Sequence, residues 1–215
     1  MKYLFVVVLL YAVSIEKHNT LNTKDLKPYE LSEEDCEEYC EDSDPFKSLF
    51  DMNMIEQKRR EGFVAKLTPD SGNGVNNIGY GVNNTDTSKY KNGITREDAE
   101  TLLLETYNKH YLEVVKDLPN ATYNVHLALT NLSFNCGWAG FKYKNKKNSR
   151  SGYTRTYTAF LNGEYERGAE MLLEWCYFGK GEKRKRSDHI YKSRLFDKAL
   201  VLMDWDEMKR LTNTI

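Results

Sequence analysis

The spacing of apolar residues along the 215-residue chain divides it into stretches of different kinds. Residues 1–14 carry one Lys ahead of an almost unbroken apolar run that ends Ala12-Val13-Ser14. The run is too short to cross a bilayer, and its small-x-small ending is that of a secretory signal peptide. A buried N-terminal strand is the alternative. Residues 15–44 are polar and then acidic, with little periodicity, which predicts a linker or weakly ordered segment carrying Cys36 and Cys40 on a short helix. Near Asp44-Pro45 the pattern changes. Phe46, Leu49, Phe50, Met54 and Ile55 recur at helical spacing, and Gly62 follows where a left-handed cap can stop a helix. Glu61 is thereby expected at a helix C-terminus. The expected organisation is a signal peptide (1–14), an acidic N-terminal segment (15–44) and one domain over 45–215.

Residues 63–82 read as two or three short strands, with turn residues at Thr68-Pro69-Asp70 and Ser71-Gly72-Asn73-Gly74 and a Gly-interrupted strand at Ile78-Gly79-Tyr80-Gly81. Thr95 with Asp98 forms a capping-box signal, and an apolar face from Ala99 to Leu118 predicts a long helix ended by Pro119. Residues 122–135 are apolar nearly all round, which predicts a buried helix stopped by Gly137. A basic loop at Lys142–Arg155 follows, then a short helix at Thr156–Leu161, a helix at Glu164–Tyr177 and a long last helix from Lys185 to Met203. Helices outnumber strands, and the strands are confined to one place. The expected class is α+β, mostly α, with a small hairpin lobe and a larger helical lobe.

Composition adds three constraints. Fifteen Tyr, nine Phe and three Trp can fill a core, and the net charge of −1 argues neither for nor against nucleic acid. No segment after the leader reaches membrane-spanning length, so a soluble secreted protein is expected, with no stable membrane insertion once the signal is removed. Charge is distributed unevenly: Tyr29 to Asp44 holds nine acids and no Lys or Arg, whereas 142–155 and 180–186 are basic. Basic runs are most simply solvated faces; attraction to an anionic wall polymer is the next reading, and nucleic acid is not expected. The four His show no metal-ligand spacing, and no metal or cofactor is expected. Of three glycosylation sequons, those at Asn83 and Asn120 matter only in a eukaryotic host, while Asn131 belongs to the buried helix.

Glu61 and Asp70 carry the candidate chemistry. A carboxyl at a helix C-terminus, against a following hairpin, is partly desolvated and meets the negative end of the helix dipole; both effects favour its protonated form. Asp70 stands in a polar Gly-rich turn, where it should stay ionised and orient a water. Glycoside hydrolysis needs this division of labour between two carboxyls. The glycines at 72, 74, 79 and 81 would let a bulky polymer approach the backbone.

Glu61-Gly62, Asp70 and Ile78-Gly79-Tyr80-Gly81 resemble the active-site hairpin of phage-type lysozymes and endolysins, glycoside hydrolase family 24. The likeness continues in order through Gly93-Ile94-Thr95 with Glu97, Ala99, Leu102 and Leu103, through Ala128 to Gly137, and through Trp175 with Gly181 to Arg186. It spans roughly residues 46–203. The resemblance implies a lysozyme-like fold and a monomeric inverting muramidase acting on peptidoglycan strands, with Glu61 as acid and Asp70 holding the attacking water. It implies that Arg184 pairs with Glu61, with Arg186 as the competing candidate, and that Phe134 and Asn135 line the cleft floor beside Gly81. The family's water-holding Thr is replaced here by Asn77, after one inserted residue. That departure supports a second reading, a catalytically weak glycan-binding or structural subunit. The resemblance also suggests a Cys136–Cys176 disulfide. For Cys36 and Cys40, a local disulfide, pairing with partner chains and metal binding all remain open.

Overall fold

The computed structural model describes residues 45–69, 76–84, 88–144, 152–178 and 185–213. The leader, the acidic segment with Cys36 and Cys40, Asp70, Arg184 and residues 145–151 of the basic loop lie outside them.

Helix α1 runs Pro45–Glu61 and ends where Gly62, at φ +64°, donates its N–H to Lys58 O at 3.0 Å. This is the left-handed stop that glycine accepts without a Cβ penalty. Leu49, Phe50 and Met54 are buried, but so are Asn53, Glu56 and Gln57. Ile55, which the apolar spacing places inward, is exposed. Hydrogen bonds and ion pairs draw the polar face of the same turns inward instead.

Strands β1 (Val64–Pro69), β2 (Asn76–Gly79) and β3 (Val82–Asn84) form an antiparallel sheet in that order, with Val64 opposite Gly79 and Ile78 opposite Val82. Helix α2 (Arg96–Asp117) packs beneath it: Tyr80 lies on Ala99 and Leu103, with Phe63, Ile94 and Phe134 against them. Thr95 caps α2 by accepting from Asp98 N at 3.1 Å. The Asp98 carboxylate in turn accepts from the Thr95 hydroxyl, so only half of a capping box forms.

Helix α3 (Tyr123–Cys136) buries residues 125–133 without a break and packs on α2, on α4 (Trp138–Lys142) and on α7 (Asp188–Leu202). Helix α5 spans Arg155–Leu161 and α6 spans Tyr165–Leu172. The expected helix over 164–177 stops early. A 3-10 turn at Leu173–Trp175 follows α6, and Tyr177–Phe178 (β4) pairs with Lys185–Arg186 (β5). Trp175 accounts for the break: its indole donates to Thr156 Oγ1 at 3.0 Å and its carbonyl accepts from Arg194 at 3.4 Å. Helix α7 therefore begins at Asp188 rather than Lys185, with Ser187 accepting from Ile190 N. A further helix, α8 (Trp205–Asn213), follows a left-handed Met203.

The suggested Cys136–Cys176 disulfide does not form, and none occurs among the described residues. Cys136 sits on the exposed end of α3 with its thiol turned back to Leu132 O at 3.2 Å, whereas Cys176 is buried.

Candidate active site

Beneath the end of α1 lies a buried polar network. Asn53 Nδ2 donates to Tyr107 Oη at 2.8 Å, and Asn131 Nδ2 donates to Asn53 Oδ1 at 2.8 Å and to Asp197 Oδ1 at 2.9 Å. Asn131 is thus committed to the core, as its place on the buried helix implies, and is no glycan acceptor. Two arginines converge on the same carboxylate. Arg60 donates to Asp197 at 2.8 Å, to Ser193 O at 2.9 Å and to Glu56 at 3.0 Å. Arg194 donates to the other Asp197 oxygen at 2.5 Å and to Asn135 Oδ1 at 2.8 Å. With Glu56, Asp197 and both arginines almost wholly enclosed, opposite charges are matched and hydrogen-bonded, the condition under which buried ions are tolerated.

Above this floor is a cavity of about 540 Å³ lined by residues of α1, α3 and α7, including Gln57, Glu61, Asn135, His189 and Arg194. Glu61 is the last residue of α1. Gln57, one turn earlier, points its Nε2 at Glu61 Oε1 across 3.5 Å. The other carboxyl oxygen presses on the β2–β3 turn: a Cβ built on Gly81 (φ +67°) would overlap Glu61 Oε2 and lie 2.7 Å from Cδ. Only glycine meets both requirements here. Burial holds the Glu61 carboxyl above the ordinary glutamate range, and the charges of Arg60 and Arg194 pull the other way without cancelling it.

The remaining sequence-derived candidates fall in different places. Asn135 lines the cavity and accepts from Arg194. Asn77 lies on β2 opposite Thr68 and Asn83, and its buried Oδ1 has no hydrogen-bond partner among the described residues. Phe134 packs against the Tyr80–Leu103 cluster and on the His110 ring, 5.6 Å between centroids, and is not among the residues lining this cavity. Arg186 is spent elsewhere, paired with exposed Asp188 at 3.1 Å and stacked over Tyr191.

Sequence reasoning missed Gln57, Arg60, His189 and Arg194. Gln57 had a signal, since a residue four before Glu61 shares its helix face. Arg194 had none, because its approach depends on how α7 packs. His189 Nε2 donates to Arg60 O at 3.1 Å. A neighbouring cavity of about 610 Å³ shares Asn135 and Ile190 and adds Arg155, Glu174, Trp175 and Tyr177. Among the described residues no cluster of His, Cys, Asp and Glu could hold a metal ion, and no helix is long and apolar enough to cross a membrane.

The phage lysozyme family model matches residues 58–189, from one turn before Glu61 to the start of α7. The chain belongs to the phage lysozyme family. Membership places it among lysozyme-type glycoside hydrolases. Solved structures agree on the fold of this family member. The endolysin of Escherichia coli O157:H7 phage FAHEc1 is 23% identical, with a TM-score of 0.56 over 71% of this chain and 92% of that one. The active form of the P1 phage endolysin Lyz is 14% identical, with a TM-score of 0.56 over 74% and 94%. The muramidase domain of SpmX from Asticaccaulis excentricus is 21% identical, with a TM-score of 0.50 over 70% and 93%. No curated protein matches the chain's sequence.

Proposed function

We propose that the protein is a secreted muramidase that hydrolyses the β-1,4 bond between N-acetylmuramic acid and N-acetylglucosamine in peptidoglycan. The observation that carries this reading is Glu61: a carboxyl whose burial favours its protonated form, at the edge of a cavity large enough for sugar, in a chain of the phage lysozyme family. Glu61 donates its proton to the glycosidic oxygen as the bond breaks. Asp70, ionised, takes a proton from the attacking water on the opposite face of the sugar, and the anomeric centre inverts. The Asn77 carboxamide oxygen, with no hydrogen-bond partner among the described residues, is the acceptor assigned to that water. The adjoining cavity, with Trp175 and Tyr177, extends the binding surface beyond the cleaved bond.

Incubating the purified protein with peptidoglycan and measuring released reducing ends tests the reading. Wild type is expected to release them, with Glu61→Gln lower by about 10²–10⁴-fold, the range for loss of a positioned general acid. Equal and negligible release by both would leave the second reading, a glycan-binding protein without turnover, which the Asn77 substitution favours.

A further inference from the structure

Gln57 is 1% exposed and lines the candidate cavity. Its Nε2 faces Glu61 Oε1, yet its own Oε1 is buried and has no hydrogen-bond partner among the described residues. A buried acceptor left unpaired is unfavourable, and such an atom in a folded protein calls for a reason. The carboxamide supplies one. A half-turn about its last torsion exchanges N–H donor for C=O acceptor, and the two ends of an amide differ in little else. Turned one way it donates to a carboxylate; turned the other way it accepts from a carboxylic acid.

We propose that Gln57 is the positioning residue for Glu61, donating to its carboxylate when ionised and accepting its O–H when protonated. The inference rests on Glu61 being the acid of the proposed reaction, which must lose and regain a proton in each cycle. The surroundings require such a guide. Glu61 Oε2 is pressed on Gly81, whose turn brings no charge, so only the Oε1 side is open to adjustment. Arg60 from α1, and Arg194 and His189 from α7, line the same cavity. Arg60 and Arg194 are tied to Glu56 and Asp197, but both still attract the carboxylate. A carboxyl free to swing toward either arginine would form an ion pair and surrender its proton. Gln57 keeps it short of that.

The test uses the full chain labelled at glutamate Cδ with 13C, the Glu61 signal being assigned by its loss in Glu61→Gln. In Gln57→Glu, of the same shape, two neighbouring carboxyls share a proton, and the Glu61 midpoint is expected to rise by about one pH unit. In Gln57→Met, the released carboxyl turns toward the arginines and the midpoint is expected to fall by about half a unit. On peptidoglycan, Gln57→Met should lose about tenfold in kcat with KM within about twofold, and the alkaline limb of its pH profile should move to lower pH. A merely structural role would not move the two midpoints in opposite directions. Midpoints unchanged, or shifted the same way, overturn the proposal. So does a raised KM with unchanged kcat, which would make Gln57 a sugar contact. If Gln57→Met does not fold, the rise or its absence in Gln57→Glu decides. The titration reads no turnover, so an inactive wild type would defeat the muramidase reading while the positioning result stands by itself.

Discussion

The two oxygens of Glu61 have different neighbours, a glutamine amide on one side and a glycine backbone on the other. Its raised pKa makes a stability prediction of definite sign. A group that binds its proton more tightly when folded stabilises the fold at pH below its unfolded value, and that contribution is lost as pH rises through the folded value. Ionising the buried carboxyl as pH rises therefore works against the fold. Glu61→Gln is expected to melt higher than wild type at about pH 7, the two converging toward about pH 3 where both are neutral. Melting curves at the two pH values check it. Gly81→Ala should cost about 1–3 kcal/mol by forcing a Cβ into a left-handed position, and should lower kcat by displacing the acid. Glu61 was legible as a candidate from its place at a helix end before a Gly-rich hairpin. Gly81 was legible as a close approach but read as facing substrate, because a sequence shows that backbone is bare without showing what lies on it.

Among the elements, α1 to α3 were readable because each combines an apolar face with an unambiguous stop: Gly62, Pro119 or Gly137. The missed elements lack one or both. Residues 164–177 keep an amphipathic pattern past Leu172, and only the tertiary hydrogen bonds of Trp175 end the helix there. Helix α8 was foreshadowed by Asp204, whose side chain accepts from Glu207 N at 3.0 Å, a cap that no long apolar run advertises. Arg194 on α7 ties Asp197 to Asn135, so Arg194→Met should destabilise by about 3 kcal/mol in urea titrations, since it leaves a buried carboxylate with one arginine fewer. The Cys136 thiol sits at the exposed end of α3, turned back to Leu132 O, a contact a serine hydroxyl can keep, and Cys136→Ser should change stability by less than about 0.5 kcal/mol.

For the whole molecule, the fold places an acid from a helix end and a polar floor from α3 and α7 around one cavity, and seats that acid on a turn of the sheet. That convergence is invisible to periodicity, since Gln57, Asn135 and Arg194 are separated by long stretches of chain; what was visible was the order of local motifs, which led to the same family. The proposed export adds an outcome at this scale. Protein recovered from the medium of expressing cells should begin near residue 15 by N-terminal sequencing, whereas an intact Met1 terminus would argue for retention of the apolar run.

The seat of Glu61 against Gly81 also dictates where the chain can drift. In a saturation library scored for lysis, position 81 should accept essentially nothing, and lengthening the bend at 80–81 should silence the protein as surely as deleting the acid. The exposed neighbours of α1, Ile55 among them, should tolerate most replacements. A designer wishing to retarget this scaffold would do well to leave that bend alone and vary the far wall of the adjoining cavity instead.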